Sequence, residues 1–223
     1  MTRSLITGER YRRDCPPETD DKKTARLFLY KHALGALRVG HAVTLAGTEP
    51  FAEVELIRDY LRWPATRSWF VDWAKNTDTR SEVLDALRGI KHRWPEANVV
   101  HGNIIEVIED LPSVGFANLD FMGFMDRRSM QPAVRAVISK LVRGGVMGLT
   151  WFRGRDIDEP WRSASDVHAA ARDVADLNDR RWVGVLRMVD GWAKEAGVHL
   201  ELVGAMEYQH HHSPMSVAVW RRT

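Results

Sequence analysis

Several polar and aromatic groups in this sequence stand directly after apolar runs, where a side chain comes to lie at the tip of a strand. Asn118-Leu119-Asp120-Phe121-Met122-Gly123 closes one such run. Asp120 is a carboxylate able to orient or deprotonate an acceptor group, and Phe121 is a ring able to stack on a base. Asp72 closes another run; its two oxygens can accept both hydrogen bonds of a vicinal diol, or it can cap the helix that follows. Asn103, after His101-Gly102, is a hydrogen-bond acceptor or a plain loop asparagine. Trp151-Phe152-Arg153-Gly154-Arg155 mixes rings with guanidinium groups. Such a mixture can hold a nucleotide between ring and phosphate contacts, or serve as a cover with a solvated face. Tyr208, Gln209 and the run His210-His211-His212 can hydrogen-bond or stack on an acceptor. Adjacent histidines in a strand-like segment point alternately, so the three do not converge on one ion, and no Cys cluster or His-Glu spacing supports a metal centre.

Composition bounds these readings. The chain has 223 residues, 44% apolar and 28% charged, enough for one large core. No apolar run approaches the roughly 18–20 residues of a membrane span. MTRSLITGERYRRD has no apolar stretch after its charges, so no secretory leader is expected. Cys15 is the single cysteine, which rules out an internal disulfide and, with the other features, leads us to expect a reducing cytoplasm. Net charge is +2, which neither requires nor excludes a nucleic-acid partner. Arginine outnumbers lysine 25 to 7, the mark of a GC-rich genome or of phosphate recognition by the planar guanidinium. Oligomeric state is not legible.

The elements that must position these groups alternate. After a polar arm over 1–19, residues 21–38 read as a helix with Leu27, Tyr30, Leu34 and Leu37 on one face, started by Asp20 or Asp21 and ended by Gly40. Strands are expected at 41–46, 67–72, 98–101, 114–120 and 146–150. Helices are expected between them at 50–61, 78–90, 104–109 and 129–143, the last closed by Gly144-Gly145. Five strands in alternation with helices make a parallel sheet covered on both faces. A helix at about 182–196 leads to two further strands, 199–208 and 215–221. The six residues between them are too few for a parallel crossover, so the pair must be an antiparallel hairpin. The strand ending at Tyr208 follows a crossover helix, so it runs parallel to the first five and brings the 209–214 connection to their carboxyl edge. We expect one domain over 1–223, with an arm and helix at 1–40 and an insertion at 151–181.

On these motifs and this order the chain resembles the class I S-adenosylmethionine-dependent methyltransferases, over residues 41–223. The resemblance implies an α/β fold: a seven-stranded Rossmann-like sheet, mostly parallel, with an antiparallel C-terminal hairpin, and S-adenosyl-L-methionine as cofactor. It places Ala46, Gly47 and Thr48 beside the methionine part. The loop has one glycine where the family has two or three after an acidic residue, and Glu53 is the candidate for that carboxylate. It implies that Asp72 takes the ribose hydroxyls, that Gly102 and Asn103 lie near the adenine, and that Asn118 borders the cofactor. Asp120-Phe121-Met122-Gly123 is similar to the family's Asp-Pro-Phe-Gly, found in some members that modify transfer RNA, but lacks the proline. The resemblance makes Asp120 a catalytic candidate and Phe121 a substrate-binding one. The 209–214 connection, brought to the same edge, leads us to expect at least one of His210, His211 and His212 in the acceptor pocket with Asp120, with His210 and His212 as catalytic candidates and Tyr208 as a substrate-binding one. The ring and guanidinium mixture of the insertion adds Trp151 and Arg153, with DNA or RNA as acceptor. Compact chains with degenerate motifs also resemble phage or mobile-element proteins. A nicotinamide oxidoreductase lacks support, since Gly-x-Gly-x-x-Gly is missing and the hairpin does not suit it. A non-catalytic binding protein on the same fold is the alternative function.

Overall fold

The computed structural model describes residues 20–34, 38–47, 50–72, 77–121, 130–152, 166–210 and 213–223. In chain order the elements are α1 (Asp20–Ala33), β1 (His41–Leu45), α2 (Pro50–Glu55, continued by a π turn over Leu56–Tyr60), β2 (Ser68–Asp72), α3 (Thr77–Arg93), β3 (Asn98–His101), α4 (Ile104–Asp110), β4 (Val114–Asp120), α5 (Met130–Lys140), β5 (Leu141–Phe152), α6 (Asp166–Ala170), α7 (Leu177–Glu195), β6 (Leu200–His210) and β7 (Ser213–Arg222).

The seven strands form one sheet in the order β3-β2-β1-β4-β5-β7-β6. β1 pairs in parallel with β2 and β4, β2 with β3, and β4 with β5, while β7 is antiparallel to both β5 and β6. The carboxyl ends of β1 to β5 and of β6 therefore share one edge, as the hairpin argument expects. The order reverses between β1 and β4, and ligands of open α/β sheets bind outside the strand ends at such a switch point.

Strand alternation sorts side chains between two helical layers. On β4, Ala117, Leu119 and Phe121 enter the core under α4, α5 and α7. Phe116, from the opposite parity, packs under α1, α2 and α3. Asn118 and Asp120 share that second face, so two polar side chains lie beneath α1. Two glycines let α1 approach closely. A Cβ on Gly148 would stand 2.2 Å from Leu29 Cδ1, and one on Gly204 would stand 2.6 Å from His32 Nε2.

Three expectations are corrected. Helix α1 buries Lys22, Ala25, Leu29, Tyr30 and Ala33, whereas Leu27 and Leu34 are 54% and 51% exposed. Of the expected face Tyr30 is inward and Leu27 and Leu34 are not, because the inward face carries charges that pair with Asp120 on β4 and Glu53 on α2; Leu37 lies outside the described residues. Strand β5 begins at Leu141 rather than Val146, because Leu141 already pairs with Val114 across a bulge, and Gly144 at φ +77° lies within it instead of closing a helix. The hairpin extends through Gln209↔Pro214 and His210↔Ser213, leaving only 211–212 as the connection.

Candidate active site at the carboxyl edge of the sheet

Helix α1 presents Lys22, Arg26 and Tyr30 at four-residue intervals, one turn apart along a single stripe. That stripe lies over Thr44, Asn118, Asp120 and Thr150, which reach up from β1, β4 and β5. Arg26 Nε stands 2.9 Å from Glu53 Oε1. Tyr30 donates its hydroxyl to Glu53 Oε2. Thr44 Oγ1 and Asn118 Nδ2 donate to that same oxygen at 3.0 and 3.1 Å. Burial, then the charge of Glu53 and the hydrogen bond to it, hold the Tyr30 phenol well above its ordinary value, so it remains a donor. Glu53, 3% exposed, is the hub tying α1 to the sheet. Both of its oxygens serve internal donors.

One turn toward the helix start, Lys22 Nζ stands 3.1 Å from Asp120 Oδ2. Burial would raise the Asp120 carboxyl. The charge of Lys22 foremost, with Arg26, the Lys22 hydrogen bond and His210, outweighs it, and the group is held below its ordinary value. Asp120 is therefore an ionised acceptor. Lys22, Arg26, Glu53, Asn118, Asp120, Thr150 and Tyr208 line a cavity of about 20 Å³, room for one water-sized group. A wider groove borders it at Tyr208, between α1 and the hairpin, lined among others by Asp21, Met206, Glu207 and Met215.

At the neighbouring tips stand the groups assigned to a cofactor. Ala46, buried, donates its N–H to Val71 O at 2.9 Å and so holds the loop after β1 to β2. Gly47 follows with φ +61°, and nothing lies within 4 Å of where a Cβ would stand, so the backbone is open to close approach. Asp72 is 8% exposed at the end of β2, and its carbonyl accepts from Gly102 N–H at 3.1 Å. Gly102 thus joins β3 to β2. Asn103, exposed at the start of α4, accepts from Ile105 N–H at 3.0 Å through its side-chain oxygen and so caps that helix.

The aromatic candidates divide. Tyr208 lies beside Asp120 in the cavity wall, and His210, 3% exposed, is near enough for its charge to act on Asp120. Phe121 and Trp151 are each 1% exposed and belong to the core on the other face of the sheet. Trp151 stacks on Trp182 at 5.2 Å between centroids. Odd-numbered positions of β4 and β5, and Phe121 just past β4, face that layer. Thr48, Met122, Gly123, Arg153, His211 and His212 lie outside the described residues. Sequence reading missed Lys22, Arg26, Tyr30, Thr44 and Thr150. The four-residue spacing of Lys22, Arg26 and Tyr30 is the signal in the sequence that marks this stripe. Among the described residues no three His, Cys, Asp or Glu side chains are placed to hold a metal ion, and no helix is long and apolar enough to cross a membrane.

No protein-family model matches the sequence, and no curated protein matches it. Solved structures do resemble it. One, from Clostridium thermocellum and proposed to be an rRNA methylase, has a TM-score of 0.56 at 7% identity, covering 92% of this chain and 98% of its own. An S-adenosylmethionine-dependent methyltransferase from Clostridium acetobutylicum has a TM-score of 0.52 at 10% identity, with 95% of each chain covered. Trm5b from Pyrococcus abyssi also scores 0.52, at 13% identity; 92% of this chain is covered, and this chain spans half the length of Trm5b. With its strand order, its antiparallel end and these likenesses, the chain has the fold of the class I S-adenosylmethionine-dependent methyltransferases.

Proposed function

We propose that the protein binds S-adenosylmethionine at the tips of β1 and β2 and transfers its methyl group to a nucleic acid in the cytoplasm. The observation that carries this reading is the convergence of Gly47, Asp72, Asn118 and Asp120 at the switch point of one sheet edge. The residues present suit the cofactor. The open space over Gly47 admits a ligand against the backbone, and the Asp72 carboxylate suits a vicinal diol. When bound, S-adenosylmethionine supplies a methyl group made electrophilic by the positive sulfur. The chain's own residues then position: Asp72 fixes the ribose, Gly47 leaves room for the methionine part, and Asp120 orients the acceptor. Asp120 does so as a carboxylate, since Lys22 keeps it ionised.

Nucleic acid as acceptor is supported by two considerations. One is the arginine surplus of the sequence. The other is the company of the fold: Trm5b, the Clostridium thermocellum protein, and TYW2 from M. jannaschii, solved with AdoMet, at TM-score 0.50 and 9% identity.

The test is incubation of purified protein with methyl-tritiated S-adenosylmethionine and, in separate reactions, total RNA and genomic DNA. Label in either polymer, lost with Asp120→Ala, is the expected result. Cofactor binding without label in either polymer would remove nucleic acid as acceptor.

A further inference from the structure

The amino edge of the sheet, opposite the candidate active site, carries arginines for which the fold has no internal use. Arg38 precedes β1, Arg62 follows the π turn of α2, Arg67 directly precedes β2, and Arg143 lies in the bulged start of β5. All four are exposed, and none makes an ion pair among the described residues. Backbone contacts gather them. A Cβ on Gly115 would stand 2.0 Å from Val39 O and 2.9 Å from the Trp63 ring, and one on Gly145 would stand 3.1 Å from Gly115 O. The chain neighbours of Arg38, Arg62 and Arg143 thus meet at the start of β4. Arg67 lies beside His41 through the parallel register Ala42↔Ser68. Arg38, Arg67 and Arg143 stand outside the last turns of the α-helices, so the helix dipole does not account for them. Other cations of this edge have structural tasks: Arg58 pairs with Asp59, and Lys140 Nζ donates to Glu109 O and Leu111 O at 3.1 and 2.9 Å. The acids Glu109 and Asp110 end α4, in the layer of the sheet opposite Trp63.

A second observation sits at Arg62. Its φ is +52°, and among the described residues it is the one non-glycine residue with positive φ. It stands just past the cap residue Leu61, where Trp63 N–H closes back on Ile57 O at 2.9 Å; helices ordinarily place glycine at such a position. A side chain there strains the backbone, so the charge is kept at a cost in stability. Trp63, next in the chain, buries its Nε1 without a hydrogen-bond partner. Beside Arg67, Trp69 Nε1 donates to His41 Nδ1 at 3.0 Å, which leaves Nε2 of that half-buried ring as an N–H donor.

We propose that Arg38, Arg62, Arg67 and Arg143 form a docking surface for the sugar–phosphate backbone of a nucleic acid, on the side of the sheet away from the reacting base. The row crosses β2, β1, β4 and β5, about 15 Å at the ordinary strand spacing. That is too long for one phosphate and matches a chain of them. Each guanidinium can take phosphate oxygens through two parallel N–H bonds. The length of β4 separates this edge from Asp120 by about 20 Å, so only a polymer that passes along the molecule engages both. The proposal deepens the nucleic-acid reading above and rests on it: the surface holds backbone flanking the acceptor.

The experiment is fluorescence anisotropy of the full chain with labelled single-stranded RNA of about 30 nucleotides, and with duplex DNA of that length, over a series of potassium chloride concentrations and without cofactor. Arg62→Gln with Arg67→Gln should lower the slope of log affinity against log salt by about 1.4 on RNA and about 1.8 on duplex DNA, two phosphate contacts' worth. Arg38→Gln with Arg143→Gln makes the same comparison if the first pair does not fold. Arg62→Lys with Arg67→Lys should keep the slope. Arg88→Gln, which removes an exposed arginine paired with Asp85, should leave it unchanged. Arg62→Gly releases the strained φ, so the melting temperature should not fall while the slope declines by about one contact, 0.7 on RNA. No binding of either polymer by the wild type, an unmoved slope in the glutamine pairs, or an equal loss in Arg88→Gln would overturn the surface. Failure of the methyl-transfer reading is distinct: salt-dependent binding that depends on these arginines, with no label transferred to RNA or DNA. Methyl transfer to either polymer with an unmoved slope would sink the surface alone.

Discussion

Lys22 Nζ on α1 stands 3.1 Å from Asp120 Oδ2 at the end of β4, and both side chains are largely withdrawn from solvent. This contact joins an element outside the alternating strand–helix pattern to the candidate catalytic carboxylate. Because the folded-state proton affinity of Asp120 is depressed, its contribution to stability is fully present above the ordinary aspartate value of about 3.9 and is lost as pH falls through the lower folded value. Urea unfolding of wild type and Asp120→Asn should differ most near neutrality. The difference should shrink on acidification below about pH 4. A difference that grew with acid would contradict an ionised Asp120.

Glu53 should behave as a structural hub. Glu53→Ala removes the carboxylate that pairs with Arg26 and strips an acceptor from Tyr30, Thr44 and Asn118. Removing one partner of a buried ion pair costs about 3–5 kcal/mol, read as a lowered urea midpoint. Cofactor affinity measured on the protein that remains folded should change little.

Asn103→Ala should lower stability by about 0.5–2 kcal/mol, the range for a lost N-cap, with S-adenosylmethionine affinity unaltered. A selective loss of affinity at unchanged stability would contradict a purely capping role.

Gly148→Ala tests the docking of α1. The new methyl would stand 2.2 Å from Leu29 Cδ1, so the helix must shift or its leucine must change rotamer. Overpacking of this kind costs about 1–3 kcal/mol. If α1 holds the acceptor site together, amide exchange should rise across 20–33 and at Asp120 more than in α5 or α7.

The legible part of this molecule was the part governed by patterns of apolar residues. Alternating runs separated by helices yielded five parallel strands, and the short link after Tyr208 required the antiparallel hairpin, because no crossover fits in so few residues. The tips carrying Gly47, Asp72 and Asp120 followed from those strands. Helix α1 was misjudged for the same reason. Its buried stripe is Lys22, Arg26 and Tyr30, and a buried charge is recognisable only with its partner, here Asp120 and Glu53 some 98 and 27 positions away in sequence. For Phe121 and Trp151, residue type at a strand end does not say which layer the ring enters; strand parity decides that, and theirs is the core under α5 and α7. Glu53 and Asn103 were correctly read as polar groups near the edge, yet each has an internal hydrogen-bonding task that spacing alone does not disclose.

Cofactor binding at Asp72 is the measurement on which the functional reading turns. Titration calorimetry of the purified protein with S-adenosylmethionine should give saturable binding. Asp72→Ala should weaken it by about 1.5–3 kcal/mol, the range for hydrogen bonds to a charged group, with the fold unchanged by circular dichroism. Absence of heat and of any thermal shift at millimolar ligand would contradict a methyltransferase. Undiminished affinity in a less stable Asp72→Ala would leave Asp72 as a helix cap and remove it from the site.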